Sequence, residues 1–339
     1  MGSSISRLPL LILLAAARVA FAQQEQAPRT STSPDSSTAR AVDQRVQGQV
    51  VRPGATEMVP VPHVLVTLHR VGSDHAAPLD SVRADGSGHY AFTYRRTGDE
   101  SAIYFVSASY GGIAYFTPPL TDAVVKGENA EIAVYDTTSV PVPIGVRGHH
   151  IVVSAVDASS QRSVTEVYEL SNDTSVTRIA SGSGEDGAVW RAGFPSKATD
   201  LRVTQGDIPP AAVAFSSGYV SVFAPIAPGL AQLAFTYSLP ASSFPLSIPV
   251  QQPTQILEVL VEDPKGSVRG AKLQEKNPVT LERRSFRRFL ADDVPVNAVS
   301  VIDLPATFQK SIDRRYLAIL TVIIGGAMIL ALATALRRS

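Results

Sequence analysis

Proline limits what this chain can build. From residue 209 to residue 253 it recurs as Pro209, Pro210, Pro225, Pro228, Pro240, Pro245, Pro249 and Pro253, and each one removes a backbone donor, breaks helices and limits strand extension. What survives between them alternates. In residues 230–239, Ala231, Leu233, Phe235, Tyr237 and Leu239 take turns with Gln232, Ala234, Thr236 and Ser238, a period of two that sends the apolar set to one face of a strand. Further strands are expected over 150–156, 164–170, 200–203, 212–215, 219–223, 256–262 and 296–304, so residues 140–304 read as one β-rich domain.

Upstream, residues 44–139 show the same texture. Strands are expected over 46–51, 63–70, 79–83, 90–94, 103–110 and 130–135, with Val64, Val66 and Leu68 on one face of the second and Tyr90, Phe92 and Tyr94 on one face of the fourth. Asp85-Gly86 reads as a tight turn in which Gly86 takes φ > 0. Six or seven such strands make a small antiparallel sandwich. In order, V-x-G-x-V (Val46, Gly48, Val50), V-x-V-x-L (Val64, Val66, Leu68), D-G-x-G-x-Y-x-F (Asp85, Gly86, Gly88, Tyr90, Phe92) and Y-x-V-x-A-x-Y (Tyr104, Val106, Ala108, Tyr110) resemble the carboxypeptidase-regulatory-like and Cna-B-like β-sandwich family. The resemblance covers residues 44–139 only. It implies an Ig-type, prealbumin-like sandwich that serves as a structural, protein-binding or carbohydrate-binding accessory module, without catalysis. The Lys–Asn crosslink of Cna-B pilin domains is not implied here, because the only Lys of this region is Lys126 rather than one on an early strand.

The two ends speak of location. Arg7, the apolar stretch 8–17 and Ala20-Phe21-Ala22 form a secretory signal over residues 1–22. Residues 23–43, rich in Ser, Thr, Pro and Gln, are too polar to offset chain entropy and read as a disordered leader. Residues 316–336 contain no charge, and about 20 apolar residues suffice to cross a hydrocarbon core about 30 Å thick. A transmembrane helix is expected there, after a linker over 305–315 and before a cytoplasmic tail over 337–339. Basic residues flank the span almost equally, so the signal peptide decides orientation and leaves the bulk of the chain outside. Leu304-Pro305-Ala306-Thr307 resembles a sortase LPxTG signal, but Phe308 stands where that motif has Gly.

Composition excludes several chemistries. The chain has no Cys, which rules out disulfides, thiolate metal sites and a cysteine nucleophile. Its 30 Lys+Arg balance 30 Asp+Glu, without the basic surplus a general nucleic-acid binder needs. No His is followed by Glu three residues on, and no G-x-S-x-G elbow occurs. His63, His69 and His75 lack a completing ligand set for a metal. His149 and His150 are adjacent and point to opposite faces of a strand. Asp85, Asp99 and Asp186 are better explained by turn hydrogen bonding than by calcium.

Three features remain as candidate contacts. The basic run 283–289 contains Arg284 and Arg287, and its bland reading is a strand whose arginines are balanced by Glu282, Asp292 and Asp293. Trp190 is the only Trp, in a Gly-rich turn region. Tyr115 belongs to an aromatic set (Tyr90, Phe92, Tyr94, Tyr104, Tyr110, Tyr115, Phe116) that is mostly core but can supply a sugar-stacking platform. The expectation is an all-β protein of two tandem Ig-like or prealbumin-like sandwich domains plus one C-terminal transmembrane helix in the cell membrane. It is expected to be non-enzymatic, without cofactor or metal, with envelope proteins as partners and carbohydrate as the alternative. Trp190, Tyr115, Arg284 and Arg287 are the residues expected to meet the ligand or partner.

Overall fold

The computed structural model describes residues 43–306 apart from 205 and 282. The signal peptide, the leader up to residue 42, the expected membrane helix and the tail lie outside the described residues. Among the described residues the protein is all-β, its only helices are short 3-10 turns, and none is long and apolar enough to cross a membrane.

The first nine strands are β1 (Gln44–Pro53), β2 (Met58–Pro60), β3 (Leu65–Val71), β4 (Ala76–Arg83), β5 (His89–Tyr94), β6 (Ile103–Tyr110), β7 (Ile113–Phe116), β8 (Val124–Lys126) and β9 (Ile132–Ala133). β1 pairs antiparallel with β2 and β5 and parallel with β8 and β9, and a second sheet runs β4-β3-β6-β7. Alternation decides what lies between them: Val46 and Val50 of β1, Tyr90, Phe92 and Tyr94 of β5, Val66 and Leu68 of β3, and Tyr104, Val106 and Ala108 of β6 form one buried cluster. The approach of the 3-10 turn Gly127–Ala130 to β1 requires Gly48, since a Cβ there would lie 1.8 Å from the carbonyl oxygen of Ala130. That carbonyl accepts a 2.5 Å hydrogen bond from the Tyr90 hydroxyl.

Two expectations for this region need correction. Residues 130–135 form a 3-10 turn (Gly127–Ala130) and then the two-residue β9 instead of a full strand, because only Ile132 and Ala133 run alongside β1. The left-handed glycine of the Asp85 turn is Gly88, at φ 78°, and not Gly86. Asp85 closes the turn by accepting the backbone N–H groups of Ser87 and His89 at 2.8 and 2.9 Å.

The chain continues through β10 (Thr137–Thr138), β11 (Gly145–Val153), β12 (Gln161–Asn172), β13 (Thr177–Arg178), β14 (Trp190–Gly193), β15 (Thr199–Val203), β16 (Val213–Ser216), β17 (Tyr219–Val222), β18 (Gly229–Pro240), β19 (Leu246–Pro249), β20 (Thr254–Val261), β21 (Ser267–Gly270), β22 (Gln274–Leu281), β23 (Arg284–Val294) and β24 (Val299–Asp303). Seven of them make one sheet in the order β15-β18-β12-β11-β20-β23-β22, and two three-stranded sheets run β14-β17-β16 and β19-β24-β21. One face of the large sheet (Ile151, Val164, Phe235, Val259 and Phe289 among others) shares a second buried cluster with Trp190, Val220, Ile248 and Ile302 of the small sheets. The two clusters meet where β10 pairs in parallel with β13. There the Tyr115 hydroxyl reaches the Tyr135 carbonyl at 3.0 Å and the Thr177 hydroxyl at 2.7 Å.

A buried arginine fixes the far end. Arg162, fully buried, donates to the Ser154 carbonyl at 2.7 Å, to Asp263 at 3.1 Å and to the Pro305 carbonyl at 2.7 Å. Its guanidinium lies 5.5 Å from the Phe244 ring centroid.

Candidate interaction surface

Of the four residues singled out from sequence, Trp190 and Tyr115 are buried, and Arg284 and Arg287 are paired with carboxylates. Trp190 is only 4% exposed and lies in a strand, where the Tyr168 ring meets it edge-on at 4.9 Å. Its indole N–H donates to Gln252 at 3.2 Å. Tyr115 is buried at the junction just described. Neither ring presents a face to solvent, because a large aromatic next to an apolar cluster gains more from burial than from display. Arg284 pairs with Glu262, and Arg287 with Glu275 at 2.8 Å. Arg288 joins Glu258 at 2.5 Å. The run 283–289 thus contains a strand, as its bland reading has it, and the acids that its arginines reach are Glu258 on β20, Glu262 just beyond the end of β20, and Glu275 on β22.

Trp190 leads to a network the sequence did not announce. Glu166, 1% exposed, accepts from the hydroxyls of Tyr237 at 2.7 Å and Tyr168 at 3.0 Å and lies 2.8 Å from Nε2 of His149. Burial, reinforced by the charge and hydrogen bond of Glu166, pushes both phenols well above their ordinary value, so they stay protonated and donate. The His149 ring stacks on Tyr168 at 4.0 Å. On the opposite face His150 places Nδ1 2.7 Å from Glu258. The adjacent histidines do point to opposite faces, as strand geometry requires, and each finds a carboxylate on a different neighbouring strand.

The accessible feature is the outer face of β3, β6 and β7. There Val71 stands opposite Ile103, His69 opposite Phe105, and Thr67 opposite Ser107, which in turn faces Phe116. Phe116 is 58% exposed, Ile103 49%, and Leu65 and Val71 43% each. The rings are ordered against one another: His69 stacks on Phe105 at 5.0 Å and Phe105 meets Phe116 edge-on at 5.7 Å. Nε2 of His69 is 2.8 Å from the Ser107 hydroxyl, and the Thr67 and Ser81 hydroxyls are 2.9 Å apart. Burial holds the His69 imidazole below its ordinary value, which favours a neutral ring on this face. The result is an apolar, ring-bearing patch edged by hydroxyls. Phe116 was within reach of sequence reasoning. His69 and Phe105 were not, since which side of a strand faces outward is set by the other sheet.

A surface cleft of about 510 Å³ lies over β1 and β5, lined in part by Gln47, Gln49, Asp85, His89 and Glu131, but Asp85 is committed to its turn. Compared with known proteins, the chain matches no family model and no curated sequence.

Proposed function

We propose that this is a membrane-anchored, non-enzymatic protein that displays two tandem sandwich domains outside the cell membrane and works by binding proteins of the cell envelope. The observation that carries this reading is the exposed apolar face of β3, β6 and β7, with Phe116, Ile103, Leu65 and Val71 in solvent. Exposed large side chains gathered on one sheet face mark an interaction surface. Paired sheets around each buried cluster support the sandwich reading, with the first unit of the carboxypeptidase-regulatory-like type. The signal sequence and the uncharged span 316–336 support the topology.

A photo-crosslinking residue at position 116 should trap a defined set of envelope proteins in native cells, while the same residue at Gln47 on the other sheet should not. Equal yields at both positions would remove the face from consideration. Protease added to spheroplasts should digest residues 44–304, and their protection would reverse the topology. A carbohydrate is the second reading, favoured by the hydroxyls of Thr67, Ser81 and Ser107 beside the rings. It predicts glycan-array retention that Phe116→Ala abolishes and Trp190→Ala does not.

A further inference from the structure

Strand β14 has one edge that no strand pairs, and the segment 249–254 lies beside it. Its ladder with β17 sets Ala192 opposite Val220, Phe194 N–H donates back to Gly218, and strand alternation then turns the backbone groups of Arg191 and Gly193 the other way. A neighbouring strand would normally satisfy them. Two side chains do so instead. Gly193 N–H donates to Oε1 of Gln251 at 2.8 Å, and Nε2 of Gln252 donates to the Arg191 carbonyl at 3.2 Å. A primary amide carries the same donor and acceptor as a peptide group, so consecutive glutamines occupy the places of a strand's peptide units. They lie directly on the backbone: a Cβ on Gly193 would be 2.3 Å from Gln251 Nε2. The backbone of this segment is held independently, with Val250 N–H donating to Ala298 and Asn297 N–H to Val250. The glutamine side chains can therefore leave without unfolding it. Next to the edge, a surface groove of about 270 Å³ is lined by Phe194, Pro195, Tyr219, Ile248 and Pro249.

We propose that the open edge of β14 is a strand-addition site for an extended polypeptide segment of a partner. The segment displaces the side chains of Gln251 and Gln252, pairs with Arg191 C=O and Gly193 N–H, and seats an apolar side chain in the groove beside Phe194 and Tyr219. Main-chain pairing supplies affinity and the groove supplies selectivity, as in other edge-strand recognition. The glutamines act as an internal competitor. The proposal rests on the protein-binding reading above but on different residues from the β3–β6–β7 face, so either site can fail alone.

The test uses the full chain in detergent micelles and a phage-displayed library of extended heptapeptides, selected against the Gln251→Ala/Gln252→Ala variant. Enriched peptides should bind that variant at least tenfold more tightly than the wild type, since the hydrogen bonds that the two glutamines make with Gly193, Arg191 and the Trp190 indole no longer compete. They should lose at least tenfold on Gly193→Pro, which removes an N–H that the β14–β17 ladder does not use. Should that variant not fold, hydrogen exchange at Gly193 gives the same answer, because a bound peptide should protect this amide in the glutamine-free variant. Failure to enrich any peptide, indifference of the enriched peptides to these substitutions, or unchanged exchange at Gly193 would each overturn the site.

Discussion

The two buried clusters treat charge in opposite ways. Around the first, the only buried ionisable side chain outside the tyrosines, among the described residues, is Arg70, at the rim, with its partner Asp74 still 45% exposed. Around the second, His149, His150, Arg162, Glu166, Arg178 and Asp263 are all buried. The first unit turns apolar side chains outward on β3, β6 and β7, whereas the second takes ionisable side chains inward. Desolvating an ion is costly unless its partner is present and well placed, so the second unit's stability depends on a few irreplaceable pairs and the first unit's on diffuse packing.

The sharpest way to break this comparison is to delete the same chemistry on both sides. Arg162→Met strands Asp263, only 3% exposed, and is expected to cost about 4 kcal/mol. Arg70→Met leaves Asp74 in water and should cost much less. Chemical denaturation of the purified protein measures both, and equal costs would mean that partner burial does not govern the second unit.

Backbone strain gives the next effect, and it belongs to the first unit. Gly88 is at φ 78° and a Cβ there would lie 2.7 Å from the Val50 carbonyl, while nothing lies within 4 Å of a Cβ on Gly86. Gly88→Val should cost at least about 2 kcal/mol and Gly86→Val less than about 0.5 kcal/mol. A reversed order in unfolding midpoints would restore Gly86 as the critical turn glycine.

Acid titration sharpens the contrast from the other unit. Burial raises the Glu258 carboxyl, but the hydrogen bonds and charges of His150 and Arg288 outweigh it and hold it below its ordinary 4.5. Its stabilisation is therefore present above pH 4.5 and lost as pH falls through the lower folded value. Neighbouring Glu169 moves the other way, raised by burial first and by the charge of Glu258, with His150 opposing. Its contribution is present at low pH and lost as pH rises toward its folded value. Glu169→Gln should thus raise Tm by about 2 °C at pH 7 and leave it unchanged at pH 4. Glu258→Gln should flatten the acid side of the stability curve. An increase of Tm at pH 4 for Glu169→Gln would contradict the assigned sign.

The smallest stability effect is expected on the outward face of the first unit, where Phe116→Ser should change the midpoint by less than about 0.5 kcal/mol while abolishing crosslinking from a photo-reactive residue at Ile103 on the same exposed face. A large loss of stability would mean that the ring is structural.

Legibility in the sequence followed locality. β6 was readable end to end and β18 nearly so, because apolar alternation marks most of their 8 and 12 residues. The four-residue strands β7, β14, β19 and β21 are too short to show a period, and only pairing with distant segments makes them strands. The same holds for the charges. Neither Glu262 paired with Arg284 nor Glu166 beside His149 is visible until segments distant in sequence are set side by side. The left-handed turn position was misassigned for a related reason: Asp-Gly is a strong dipeptide signal, but the hydrogen bonds of Asp85 move the strained residue two places on, to Gly88.

Arg162 has a mechanical consequence. The carbonyl of Pro305, just after β24, is held by a guanidinium that also grips Ser154 and Asp263. A pull on the segment beyond residue 306 is consequently not spent on peeling β24 from its neighbours one hydrogen bond at a time. It loads the start of β12 and the turns at 154 and 263 together, so that the several bonds of one guanidinium must give way at once.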